Sequence, residues 1–143
     1  FFYSYVRPLM QSHRLAKLEQ AVGAVLPSEY KLFLATHVSQ DQPNLAFSGE
    51  RHWDVRTLYE LADGGLDDQL DRVYSLVGDV LPAYALPIGE DWGGNFYCLI
   101  THGDSAGHVV WWNHERELGD DRTEPVAPSF AAFSGGLVHH DEA

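Results

Sequence analysis

The stretch from Leu86 to Trp112 constrains the fold of this chain more than any other. Phe96 to Thr101 is apolar on both alternating faces, so both must be covered, as in a strand at the middle of a sheet. Turn-forming residues flank it: Glu90-Asp91-Trp92-Gly93-Gly94 before, Gly103-Asp104-Ser105-Ala106-Gly107 after. Leu86-Pro87-Ile88 then reads as one neighbouring strand and Val109-Val110-Trp111-Trp112 as the other. Short turns make such neighbours antiparallel.

Helical patterns surround this core. Leu15, Leu18, Val22, Val25 and Leu26 recur at helical spacing, with Glu19 and Gln20 on the other face. After Pro27, Ser28 is a good capping residue and Glu29 suits a first turn, which starts a second helix with the stripe Tyr30, Phe33, Leu34 and His37. Leu45 and Phe47 suggest a short strand, and Trp53, Val55 and Thr57 alternate as in a second. Asp67 to Gly78 predicts a third helix, with Leu70, Val73, Tyr74 and Val77 inward and Asp67, Asp68 and Asp71 near its positive end. Glu115 to Glu124 reads as an acidic loop. Ser129 caps a final helix whose inner face is Phe130, Phe133 and Leu137. The expectation is an α+β fold: one domain over residues 1–143, with a mostly antiparallel, twisted sheet and flanking N-terminal, middle and C-terminal helices.

Charge narrows the function classes. The chain carries 21 acidic and 9 basic residues, a formal net charge of -12. Residues 73–143 hold only Arg116 and Arg122 as cations against eleven acids. Such a field repels nucleic acid and anionic membrane and speeds encounter with a basic partner; solubility alone is the plainer reason for it. One cysteine, Cys98, excludes an intrachain disulfide and a cysteine-type zinc site. Its place among apolar strand residues suggests a buried, inert thiol. No apolar run reaches the roughly 20 residues of a membrane span, and a cytoplasmic location is the default expectation. The chain starts Phe1-Phe2-Tyr3 without methionine, which reads as trimming or processing.

Four motifs, in this order, resemble the SUKH superfamily, also called the Smi/Knr family after fungal cell-wall-assembly regulators. They are Leu26-Pro27-Ser28-Glu29-Tyr30-Lys31-Leu32-Phe33-Leu34, Leu86 through Leu99, Gly107 through Glu115, and Ala127-Pro128-Ser129-Phe130-Ala131-Ala132-Phe133. The resemblance spans about residues 10–137, leaving 138–143 as an expected flexible tail. One departure is that Thr36-His37-Val38-Ser39-Gln40 stands where the family often has Asn-Gly-Gly, so the second helix must end by other means. The resemblance implies a bacterial immunity protein that binds and neutralises a cognate polymorphic toxin, often a nuclease. A regulatory or scaffolding adaptor is the alternative it allows. No catalytic constellation goes with it.

The residues themselves agree with binding rather than catalysis. Glu90-Asp91-Trp92-Gly93-Gly94-Asn95 is first a tight turn, but two acids beside an exposed tryptophan would also suit a basic partner. Trp111 and Trp112 must point to opposite faces, one of them into the core. The candidate partner-binding residues are therefore Glu90, Asp91, Trp92, Asn95, Trp112, Glu115, Glu117, Asp120 and Asp121. His108 and His114 share a strand face but lie about 20 Å apart if extended, too far to hold one ion. There is no Gly-x-Ser-x-Gly elbow and no phosphate loop, so a small hydrolase or metal enzyme is the weakest reading. No catalytic residue, metal or cofactor is expected; the partner is a basic toxin, not nucleic acid or membrane, and the chain is taken as a monomer.

Overall fold

The computed structural model describes residues 13–62, 68–115 and 123–140. The first helix, α1, spans residues 13–22, buries Leu18 and half-buries Leu15 and Val22. It stops at Gly23, whose φ of 81° is the left-handed turn that lets the Gly23 N–H reach the Glu19 carbonyl at 2.8 Å. Val25, expected on the apolar stripe, falls beyond this stop and is exposed. The Glu19 side chain then accepts from the Leu26 N–H at 2.8 Å and meets Lys31 at 3.3 Å, tying α1 to the next helix.

Helix α2, Ser28–Thr36, carries the expected stripe: Tyr30 and Leu34 are buried, and Tyr30 and Phe33 meet Phe130 edge-on at 4.7 and 5.0 Å. Its N-terminal flank is Pro27 and no side chain caps it, so Ser28 is the first helical residue rather than the cap. His37 ends it with extended backbone; its ring stacks on Phe33 and its Nε2 lies 2.7 Å from the Leu58 carbonyl. Polar contacts from a distant strand thus replace the glycine turn.

Two antiparallel sheets follow, the first ordered β2-β1-β8 and the second β3-β4-β5-β6-β7. Their strands are β1 Leu45–Ser48, β2 His52–Asp54, β3 Thr57–Leu58, β4 Ala85–Glu90, β5 Phe96–Ile100, β6 Val109–Trp112, β7 Thr123–Ala127 and β8 Leu137–His139. β5 is central, as its apolar faces require. The single strand expected over Trp53–Thr57 is instead divided between the sheets. The Val55 N–H goes to Leu45 in β1, and the next N–H, on Arg56, goes to Glu90 in β4. Gly89 permits this crossing, because a Cβ there would meet Leu58 at 2.6 Å and the Thr57 carbonyl at 2.7 Å.

Helix α3 is Leu70–Val77, shorter than expected at its start, since Asp68 takes a φ of 60° and its carbonyl accepts from the Glu60 N–H. Helix α4 is Phe130–Gly135, and Ser129 Oγ caps it by accepting from the Ala132 N–H at 3.0 Å. Two expectations fail near this end of the chain. Thr123 and Glu124, assigned to a loop, begin β7, an edge strand that tolerates Pro125. Leu137, assigned to the last helix, lies in β8 opposite Phe47, and His139 of the expected tail pairs with Leu45. The chain turns at Gly136, where a Cβ would strike the Phe47 ring at 2.5 Å.

The core has two parts. The larger packs α1, α2, α4 and the three-stranded sheet around Tyr97, Leu99, Val109 and Phe133. The smaller, Leu81, Ala85, Cys98 and Trp112, covers the opposite face of β5 and β6. No helix among the described residues is long and apolar enough to cross a membrane.

Candidate functional site

The β4–β5 turn is organised around one carboxylate. Asp91 is 6% exposed, not solvated as expected. Its Oδ1 accepts from the Gly93 and Asn95 N–H groups, both at 2.9 Å, and its Oδ2 accepts from Asn95 Nδ2 at 3.0 Å and Trp111 Nε1 at 2.9 Å. Asparagine side chains and left-handed glycines favour such turns, and Gly94 has a φ of 87°. A buried charge is tolerable only when its oxygens are satisfied in this way. Asp91 therefore shapes the turn from within, with both of its oxygens engaged by groups of the chain itself.

Glu90 is also engaged internally. Its carboxylate accepts from Tyr59 OH at 2.7 Å and pairs with Arg56 at 3.1 Å. Arg56 also meets Asp68 at 3.3 Å and pairs with Asp41. Partial burial opposes the guanidinium charge, but Glu90 and Asp68 outweigh it and hold the Arg56 pKa above its ordinary value. Burial, reinforced by Glu90, pushes the Tyr59 phenol up.

Trp92 is the residue this framework presents. Its side chain is 50% exposed, while its backbone N–H is fixed by Asp54 Oδ2 at 3.0 Å. Asp54 ends β2, so the bond clamps the turn of one sheet to the edge of the other. Asn95 extends the clamp: its Oδ1 accepts from the His114 backbone N–H at 3.1 Å and lies 2.6 Å from His114 Nδ1. Glu115 follows, exposed, with its N–H donated to Asn113 Oδ1 at 2.9 Å.

The structure thus gathers Trp92, Asn95, His114 and Glu115 at one end of the hairpin, with exposed Asp54 beside them. Asp54 and His114 were not among the expected contacts; only the meeting of β2 and β6 at this turn brings them in. Trp112, an expected contact, is 5% exposed and belongs to the smaller core; Trp111 is the half-buried member of the pair and serves Asp91. Glu117, Asp120 and Asp121 lie outside the described residues.

Among the described residues, no three of His, Cys, Asp and Glu are grouped as metal ligands. Cys98 is fully buried, and burial pushes its thiol pKa up, away from a reactive thiolate. Of the described cations, Arg14, Lys31, Arg51 and Arg56 each contact a carboxylate of the chain itself; Lys17 and Arg72 are exposed, as are the acids Asp54, Asp79, Asp104 and Glu115.

Comparison with known proteins agrees with this architecture. The SMI1 / KNR4 family (SUKH-1) matches residues 12–135. That is most of the chain, which therefore belongs to this family. The chain is also similar to the SPbeta prophage-derived uncharacterized protein YokK of Bacillus subtilis (strain 168), at 25% identity over 89% of this chain and 74% of that protein. No solved structure matches it significantly.

Proposed function

We propose that this member of the SMI1 / KNR4 (SUKH-1) family is an immunity-type protein that neutralises a cognate basic toxin by occluding it. The observation that carries the reading is Trp92: a half-exposed indole on a turn fixed by Asp91 and Asp54. Aromatic side chains on rigid supports make strong interface anchors, because little freedom is lost when they are desolvated. Exposed Asp54 and Glu115 supply negative charge around the indole, and the net charge of -12 favours fast capture of a cation-rich surface. Glu90 and Asp91 act from behind by setting the turn, and Trp112 by filling the sheet core.

The test is affinity capture with the full chain from its native host, followed by expression of the captured protein in a sensitive cell. A basic protein that kills the cell, and is silenced by co-expressed wild-type chain but not by Trp92→Ala, is the expected result. A captured protein without toxicity would instead make the chain an adaptor.

A further inference from the structure

Beside Trp92 stands one imidazole whose proton is placed by its neighbours. Asn95 Nδ2 donates to the Asp91 carboxylate at 3.0 Å, and the His114 backbone N–H donates to Asn95 Oδ1 at 3.1 Å. The amide is oriented at both ends, so the atom 2.6 Å from His114 Nδ1 is an oxygen. An amide oxygen only accepts. The ring proton therefore sits on Nδ1, and a neutral His114 keeps its lone pair on Nε2. His114 is exposed, and its Nε2 has no hydrogen-bond partner among the described residues. The ring lies against the turn itself, since a Cβ on Gly94 would come to 3.6 Å from Cε1, the carbon between the two nitrogens.

We infer that His114 Nε2 is a preset acceptor for the partner and takes a hydrogen bond from an arginine side chain laid over the Trp92 indole. The identity of this donor rests on the proposed basic partner, whereas the tautomer belongs to the free chain. Around the exposed indole, three exposed residues offer acceptors: His114 through Nε2, and Asp54 and Glu115 through carboxylate oxygens. The described cations are engaged or placed elsewhere. Arg14, Lys31, Arg51 and Arg56 contact other carboxylates, and exposed Lys17 and Arg72 lie on α1 and α3, which supply no residue to the turn. Arg116 and Arg122 lie outside the described residues. A guanidinium suits this set better than an ammonium, because it is flat enough to stack on an indole while its N–H groups reach separate acceptors in one plane.

Imidazole ¹⁵N NMR of the full chain at pH 8, above the ordinary imidazole pKa of about 6.5, tests the tautomer first. His114 should show a protonated Nδ1 and an unprotonated Nε2. Titration with acetyl-arginine-amide should then shift His114 Nε2 and the Trp92 indole N–H together. Binding should be about tenfold weaker for acetyl-citrulline-amide, which keeps the shape and loses the charge. His114→Phe keeps a ring over Gly94 and should weaken the arginine effect at Trp92 about tenfold without lowering the melting temperature. A proton on Nε2 would overturn the inference and leave the Trp92 reading standing. Equal binding of citrulline, or an unchanged effect in His114→Phe, would remove the arginine from this acceptor. A move of Nε2 in Arg116→Ala without added ligand would make the chain's own arginine the occupant, against the inference. Failure of the toxin reading is separate: it would appear as a captured partner without toxicity, with the His114 results unchanged.

Discussion

Asp91 and Trp111 are joined by a hydrogen bond of 2.9 Å from the indole Nε1 to Oδ2. The bond runs from β6 to the residue just after β4, across the central strand, so the turn between β4 and β5 is locked to a strand that is not paired with β4. Trp92 inherits that rigidity.

Asp91→Asn should therefore cost about 2 kcal/mol in urea unfolding. An amide keeps the shape but turns one accepting oxygen into a donor facing other donors. An ordinary surface acid changes stability by less than about 0.5 kcal/mol, and that outcome would contradict the role given to Asp91.

The tryptophans should separate cleanly. Trp112→Ala empties a place in the core beside Cys98 and Leu81 and should cost about 3–5 kcal/mol. Trp92→Ala should leave stability within about 0.5 kcal/mol of the wild type, yet weaken partner binding by about 30-fold or more. Parallel unfolding and affinity measurements on the two variants check both halves.

Tyr30 offers a stabilising substitution. Its ring is buried edge-on against Phe130, but its hydroxyl has no hydrogen-bond partner among the described residues. Tyr30→Phe removes an unsatisfied donor without changing the packed shape and should raise stability by about 1 kcal/mol. A loss of similar size in thermal or urea unfolding would mean that the hydroxyl is satisfied.

Alkaline pH should unfold the chain cooperatively. Burial raises the phenol pKa of Tyr30, Tyr59 and Tyr97 above 10.0, with Glu90 adding to it at Tyr59, and Asp54 and Asp91 at Tyr97. Above that value the unfolded chain loses protons that the folded chain keeps, so stability is full below pH 10 and falls as pH rises. Three such groups give a slope of about 4 kcal/mol per pH unit. Phenolate absorbance should appear together with loss of secondary structure; gradual titration of these phenols in the folded chain would contradict their burial.

Much of the fold was legible locally. Phe96–Ile100 announced a central strand because both its faces are apolar, and Ser129 announced α4 because a hydroxyl can satisfy the free N–H of Ala132. Tyr30 and Leu34 marked the inner face of α2 by spacing alone. The failures fall where a neighbour distant in sequence overrode the local pattern. Trp53 to Thr57 alternates like one strand, yet consecutive N–H groups at Val55 and Arg56 bond to different sheets. Leu137 continues a helical period, yet contact between Gly136 and Phe47 turns the chain into β8.

The candidate site divides in the same way. Sequence marked residues 90–95 as a turn with acids and a tryptophan, because glycine and asparagine chemistry is local. It could not distinguish an acid facing solvent from one facing an indole on β6, nor choose between Trp111 and Trp112, because burial depends on what the opposite strand and helix bring.

The sequence by itself determined the α+β class, the hairpin at the centre and the acidity, all of which rest on periodicity, turn residues and composition. Only the tertiary structure decided which charges remain free. Glu90 and Asp91 are committed to Arg56, Tyr59, Asn95 and Trp111, while Trp92 is left at the surface with its backbone held by Asp54. The physical reason is that the stability of a carboxylate in a fold depends on the donors packed around it, and here they come from strands far apart in the chain.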